Sequence, residues 1–271
     1  MSWLLASYTY DWDILFRSIF APDGLIIGGI MVTVSVSVVS QLTGVILGVF
    51  AALGRMSRLL PLRLLAGFYI WFFRGTPLLV QIAFLYFGLS VTGIYRFPDI
   101  VIGPLTVPGA IQAGIVALGV NEGAYMSEIV RAGILSIDRG QMEAAKSLGM
   151  TYGLAMRRIV LPQAARVIIP PLGNEFNNML KTTSLLVIIS VQDIYGVFTN
   201  KNGSGDTSFH PFELFLAAAF WYLVLTTIWG FIQGWIERKF GKGTGASEDT
   251  SLRARLFSLR SPSAGTVGSG H

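Results

Sequence analysis

Three ionisable side chains fall inside stretches otherwise apolar enough for a membrane interior: Glu122, Glu175 and Lys181. A charge in hydrocarbon is costly, and it is kept where it meets a partner or a solute. On a helix, Glu175, Asn178 and Thr182 share a face through spacings of three and four. Asn174 and Asn177 flank that face, and Lys181 lies three beyond Asn178. A carboxylate accepts hydrogen bonds from an amino group, while amides and an ammonium donate to a carboxylate. The set Glu175, Asn178, Asn174, Lys181 and Thr182, with Glu122, therefore suits a small zwitterion such as an amino acid. The plainer alternatives are that Glu175 and Lys181 neutralise each other or neighbouring helices, and that Glu122 serves helix packing. Pro170 and Pro171 in the same stretch free backbone carbonyls, which fits an irregular helix lining a cavity.

The elements that must hold these residues are membrane spans. Apolar residues make up 52% of the 271 and charged ones 13%, with a mean hydropathy of +0.61. Soluble domains carry about a quarter of charged residues, so this chain finds its solvent in a bilayer. Without cysteine there is no disulfide framework, thiolate zinc site or Cys nucleophile. The two histidines, His210 and His271, lie outside every apolar run.

Uncharged runs lie between Asp23 and Arg55, Arg74 and Arg96, and Asp99 and Glu122. A further run after Arg166 is broken by Glu175 and Lys181, and the last lies between Glu213 and Glu237. A spanning helix needs about 20 residues, so about five spans are expected. Lys and Arg concentrate in the loops around Arg55–Arg63, Arg131–Arg166 and Arg238–Arg260, against Arg17, Arg96 and Lys201 on the other side. Cytoplasmic loops carry the positive excess, which puts the N-terminus outside and the C-terminus inside. The net charge of +5 is then a topology signal and not a footprint for nucleic acid.

The fold class expected is all-α, a polytopic membrane helical bundle. Residues 1–22 form an extracytoplasmic N-terminal segment with no cleaved signal peptide. Trp12, Leu15, Phe16 and Ile19 there give a short interfacial helix beside Asp11, Asp13 and Arg17. Residues 23–238 form the transmembrane domain. Residues 239–271, rich in Gly, Ser and Thr, form a disordered cytoplasmic tail in which LRARLFSLR either lies on the membrane or is solvated.

Between the third and fourth spans stands EAAKSLGMTYGLAMRRIVLP, residues 143–162. Asp138 can cap a helix, with Gln141 completing a capping-box-like pair. Gly149 stops that helix in the left-handed conformation. Thr151 caps a second one to about Val160, which Pro162 is expected to end. Ala144 and Ala145 give the first helix a low-profile face, and Glu143 and Lys146 can select a partner by charge. Connectors are usually short, and this one exceeds 30 residues.

The spacing of Glu143-Ala144-Ala145, Gly149, Ile159, Leu161 and Pro162 resembles the cytoplasmic EAA loop of ABC importer permeases. Arg74-Gly-Thr-Pro-Leu-Leu-Val-Gln81, Gly123-Ala-Tyr, Glu128-Ile, Arg131-Ala-Gly-Ile, Gly140-Gln141 and Lys181-Thr-Thr-Ser-Leu185 are similar to the polar amino-acid uptake members. The chain departs from their frequent Lys-Asp-Thr-Ser-Leu form in having Thr182.

The resemblance implies a permease subunit working by alternating access. Its EAA segment would be a coupling helix against an ATP-hydrolysing partner. It also implies two ATP-binding subunits using ATP and Mg, a second permease chain, identical or homologous, and an extracytoplasmic substrate-binding protein. No G-x-x-x-x-G-K-[ST] segment is present, so this chain is expected to bind no cofactor. The competing reading is an ion-coupled secondary carrier or channel using Glu122, Glu175 and Lys181. Against it, the sequence has no internal two-fold repeat of the kind common in such carriers. An intramembrane enzyme would need a nucleophile with a base or a metal cluster, and the spans offer none.

Overall fold

A computed structural model describes residues 9–240. The tail from residue 241, including LRARLFSLR and His271, lies outside them. Asp11 accepts hydrogen bonds from the backbone N–H groups of Asp13 and Ile14 and so caps α1 (Trp12–Phe20). The expected Trp12, Leu15, Phe16 and Ile19 all fall on this helix. α1 is tied to the last helix by Trp221 Nε1, which donates to Ser18 O, and by Asp11 N, which donates to Glu213 Oε1.

Asp23 caps the long α2 (Gly24–Met56). After three residues α3 (Leu60–Gly75) runs back. At Gly75-Thr76-Pro77 the chain bends by 105° into α4 (Leu78–Ala83), which continues through a π turn into α5 (Leu89–Val91). The bend sits where proline forces the residue before it out of the helical region; Thr76 is extended.

An antiparallel hairpin follows, β1 (Ile100–Ile102) with β2 (Leu105–Val107), pairing Ile100 with Val107. It is a departure from the all-α expectation. Its cause is local: β-branched residues on both sides of a Gly103-Pro104 turn, with Gly103 at φ +59. Asp99 Oδ1 then accepts from Gly109 N and fixes the start of α6 (Gly109–Leu135).

α7 (Arg139–Ser147) and α8 (Tyr152–Ala155) form the mid-chain segment. Pro162 does not end the helix there. A π turn over Met156–Val160 already shifts the ladder, with Leu161 N bonding back to Met156 O. Pro162 then occupies the first turn of α9 (Leu161–Thr182), where a missing N–H costs nothing. Pro170 and Pro171 lie inside α9 without interrupting it. A 3-10 segment, Thr183–Ile189, leads through Ser190 in the left-handed region to α10 (Ile194–Gly203), and α11 (Pro211–Phe240) closes the bundle.

Among the described residues, α2 and α11 alone are long and apolar enough to cross a membrane singly. Two bent pairs reach that standard jointly: α3 with α4–α5, and residues 152–189 with α10. Length and composition thus give two spans, or four with the pairs; α6 falls outside that count.

The core is organised on α2 against α6. Ser40 and Gly44 of α2 face Gly119 and Gly123 of α6, and backbones approach so closely that a methyl group on any of these glycines would crowd its neighbour. Small residues serve this purpose in membranes, where packing has to replace the hydrophobic effect between helices. At the other end of the bundle, Asp193 is fully buried. It accepts from Tyr222 OH at 2.9 Å, Thr183 Oγ1 at 3.1 Å and Gly196 N at 2.9 Å. Thr33 Oγ1 accepts from Ile194 N. Four segments are therefore stitched by one satisfied polar cluster, which low dielectric strengthens.

Candidate functional site

A cavity of about 230 Å³ opens between three helices. α6 supplies Leu118, Asn121, Glu122 and Tyr125; α9 supplies Glu175, Asn178, Met179 and Thr182; the α3–α4 bend supplies Thr76 and Leu78. Four of the residues singled out in the sequence thus meet: Glu122, Glu175, Asn178 and Thr182. Asn174 and Lys181 do not line it. At about 100° per residue both turn roughly 100–120° away from Glu175. Asn174 Oδ1 instead accepts from Gln233 Nε2 of α11 at 2.9 Å, and Lys181 is exposed.

Glu122 is buried, and its Oε1 has no hydrogen-bond partner among the described residues. Thr182 Oγ1 donates to Asn178 O within α9. The wall opposite is made by the bend. Breaking a helix leaves carbonyls unpaired, and here Gln81 Nε2 donates to Phe73 O, Thr76 O and Thr76 Oγ1 at 2.7–3.1 Å. Asn121 Nδ2 completes the clamp by donating to Phe73 O and Gln81 Oε1, both at 3.0 Å. The Arg74 guanidinium stands 5.2 Å over the ring of Tyr125 at the edge of the cavity, within cation–π range.

Thr76, Asn121 and Tyr125 went unnoticed as lining residues. Asn121 adjoins Glu122 and Tyr125 lies three beyond it, so a helical-face search from Glu122 would have found Tyr125. Thr76 carried no signal beyond its place before Pro77. Chemically, the cavity offers two carboxylates, the side-chain amides of Asn121 and Asn178, the hydroxyls of Thr76 and Thr182 and the ring of Tyr125 around a space for one small solute. Of these, Glu122 is buried with an oxygen unpartnered among the described residues, and a buried polar group discriminates strongly when a solute fails to satisfy it.

The mid-chain segment lies on different elements. Asp138 Oδ1 accepts from Gly140 N, capping α7. The reciprocal half of the capping box is not formed; Gln141 Oε1 accepts from Gln163 Nε2 instead. Gly149 takes φ +77, its N–H bonding to Lys146 O and Met150 N to Ala145 O, which is a Schellman stop. Thr151 Oγ1 caps α8. Glu143, Ala144 and Lys146 are exposed, whereas Ala145 is buried. Adjacent helix positions diverge by about 100°, so the two alanines cannot share a face, and Ala145 belongs to the anchoring side. Ile159 is half-buried, and Leu161 and Pro162 are exposed. Val160, Ala164, Met142 and Met156 pack with Ala52, Val130 and Ile134, rooting the segment in α2 and α6. Leu148, overlooked in the sequence, is 82% exposed at the tip.

With this geometry described, the comparisons with known proteins assign the class. Residues 44–242 match the family described as the inner membrane component of binding-protein-dependent transport systems. The chain is 37% identical over 276 residues to the arginine transport system permease protein ArgU of Corynebacterium glutamicum, covering 98% of this chain and 84% of that one. It is 36% identical over 232 residues to the L-cystine transport system permease protein TcyB of Bacillus subtilis, covering 85% and 92%. A crystal structure of an amino acid ABC transporter with histidines is similar at a TM-score of 0.73 and 37% identity, over 86% of this chain and 100% of that one. The chain belongs to this family of binding-protein-dependent permeases. It is a multi-pass transport component of the cytoplasmic membrane, and ATP hydrolysis resides on a separate subunit.

Proposed function

We propose that the chain forms half of the membrane pathway of an ATP-driven importer, and that its cavity receives a polar amino acid during alternating access. The observation that carries this reading is the meeting of Glu122 and Glu175, from α6 and α9, in one small cavity. The substrate amino group is taken by these carboxylates. Its carboxylate is met by the amide of Asn178, and by the hydroxyl of Thr182 once that hydroxyl turns away from Asn178 O, to which it donates within α9. Two acids with no basic side chain among the lining residues favour a cationic amino acid, in line with the substrate named for the arginine relative. Asn174 and Lys181 stand off the cavity and have no direct contact in this scheme.

The pathway is completed by a second permease chain, identical or homologous, and an extracytoplasmic binding protein delivers the solute. With the N-terminus outside, five spans are counted by giving α6 one of its own and taking α2, the α3–α5 pair, the α8–α10 stretch and α11 as the others. The exposed ridge of Glu143, Ala144 and Leu148 enters a cleft of an ATP-binding subunit, one for each permease chain. Gly149, Ile159, Leu161 and Pro162 hold that ridge at a fixed angle, and Ala145 anchors it. ATP and Mg act on the partner, and closure of the two ATP-binding subunits is passed through α7 to the spans.

The test is uptake into liposomes containing the assembled transporter and its binding protein. ATP inside should drive accumulation of a radiolabelled amino acid, with arginine the strongest competitor. Uptake driven by a proton or sodium gradient without ATP would overturn the reading.

A further inference from the structure

Between Asp23 and Asp99 the sequence contains no acidic residue, yet it turns at Arg55, Arg58 and Arg63. Arg55 lies in the last turn of α2, Arg58 in the connection Ser57–Leu59, and Arg63 in the first turns of α3. All three are exposed, and none pairs with a carboxylate among the described residues. Their arrangement is set by one glycine. A methyl group on Gly67 would meet Arg55 Nη1 at 3.0 Å, so the guanidinium lies along α3 where Gly67 has no side chain. Arg63 is four residues before Gly67 and therefore on the same helix face. The Arg55 guanidinium and the Arg63 position thus share one face of the elbow, with Arg58 at its apex.

The surroundings select the ligand. Leu59, Leu60, Leu62, Leu64 and Leu65 are 47–68% exposed, and Phe68 and Trp71 continue the apolar surface along α3. An elbow facing a water-soluble partner would leave this surface in water, whereas one at the membrane boundary places it against acyl chains. Asp23 to Arg55 spans about 48 Å at 1.5 Å per residue, slightly more than the roughly 40–45 Å of a bilayer with its headgroups. If Asp23 stands at one surface, the arginines stand at the headgroup level of the other.

We propose that this elbow binds the headgroup of an anionic phospholipid, whose phosphate is gripped by Arg55 and Arg63 while its chains lie on the leucines of α3. Arginine suits the site because its planar fork binds phosphate oxygens in pairs. Juxtamembrane basic residues are attracted to anionic leaflets in any case; the geometry here adds a fixed, discrete position.

The test uses the purified transporter complex, stripped of lipid in mild detergent. Native mass spectrometry counts added phosphatidylglycerol, phosphatidylcholine or inorganic phosphate. Phosphatidylglycerol should bind discretely, phosphatidylcholine and phosphate should not, and Arg55→Gln with Arg63→Gln should weaken binding at least about tenfold. Arg55→Lys with Arg63→Lys should retain most of it, and Arg157→Gln with Arg158→Gln should be unchanged. Equal binding of both lipids, or equal binding to the Gln variant, overturns the proposal. So does loss of the ATP-binding subunit from the Gln variant with lipid binding intact, which would assign the elbow to a protein partner.

Discussion

Gly44 of α2 lies directly against Glu122 of α6: a methyl group at position 44 would stand 2.6 Å from Glu122 Cγ and 2.8 Å from its Cβ. The backbone of one helix therefore sets where an acid in the neighbouring helix can point. In an exposed helix Gly→Ala stabilises by about 1 kcal/mol. Here the added methyl has to displace Glu122, and overpacking costs about 1–3 kcal/mol. Gly44→Ala should lower the thermal unfolding temperature in detergent and weaken substrate affinity about tenfold. Gly28→Ala, with nothing within 4 Å, should leave affinity unchanged and raise the unfolding temperature slightly. Identical behaviour of the two variants would show that Glu122 is not positioned by this contact.

The cavity assignment predicts a separation of transport from folding. Losing a hydrogen bond in which one partner is charged costs about 1.5–3 kcal/mol, or roughly 10–100-fold in affinity. Glu175→Gln and Asn178→Ala should lose substrate affinity to that extent in the assembled transporter while basal ATP hydrolysis and expression persist. Lys181→Gln should have a smaller effect, because Lys181 lies outside the cavity. A Lys181 variant as impaired as Glu175→Gln would move the solute to another face of α9.

Which of these features could be read from the chain depends on how local their causes are. The caps at Asp138 and Thr151 and the turn at Gly149 follow from neighbouring residues, and each appears where the sequence puts it. The cavity face of α9 follows from spacing alone, which separates Glu175, Asn178 and Thr182 from Asn174 and Lys181. That Glu122 meets this face depends on how α6 and α9 pack, and no local pattern encodes it. The same holds for Ala145, whose burial comes with the packing of α7 on the later Met156–Val160 turn. Pro162 misled because a proline stop presumes a regular ladder, and the π turn before it removes the bond that proline would break. The hairpin was legible in Ile100–Val107, whose β-branched residues flank Gly103-Pro104; the expectation of an all-helical bundle obscured it.

At the end of α2 opposite the elbow, Asp23 Oδ1 accepts from Ile26 N at 3.0 Å and Oδ2 pairs with Lys201 Nζ at 2.5 Å. Partial burial pushes its carboxyl up, but the Lys201 hydrogen bond, the Ile26 N–H and the nearby ammonium outweigh this and hold it below the ordinary 3.8. A carboxyl depressed in the folded state contributes stability above its unfolded value and loses that contribution as pH falls through its folded value. The unfolding temperature of the natural chain should therefore fall below about pH 4 more steeply than that of Asp23→Asn, which is less stable at neutral pH. Parallel pH profiles would show that the pair contributes nothing, as many exposed ion pairs do.

Coupling offers the sharpest contrast between shape and chemistry. Gly149 sits at φ +77, and a methyl group added there would have nothing within 4 Å, so an alanine meets no neighbour and suffers only backbone strain. The left-handed conformation costs a side-chain-bearing residue about 1–2 kcal/mol, enough to shift or fray the end of α7. Gly149→Ala should therefore reduce substrate-stimulated ATP hydrolysis several-fold while leaving solute binding to the permease intact. Leu148→Asp leaves the left-handed glycine at 149 in place but puts a charge on the exposed tip, and it should reduce co-purification of the ATP-binding subunit. Gly149→Asn, a residue type more tolerant of the left-handed region, should recover most of the coupling lost in Gly149→Ala. If Gly149→Asn and Gly149→Ala are equally uncoupled, the turn's conformation is not what transmits the stroke, and the exposed ridge would have to act through its side chains alone.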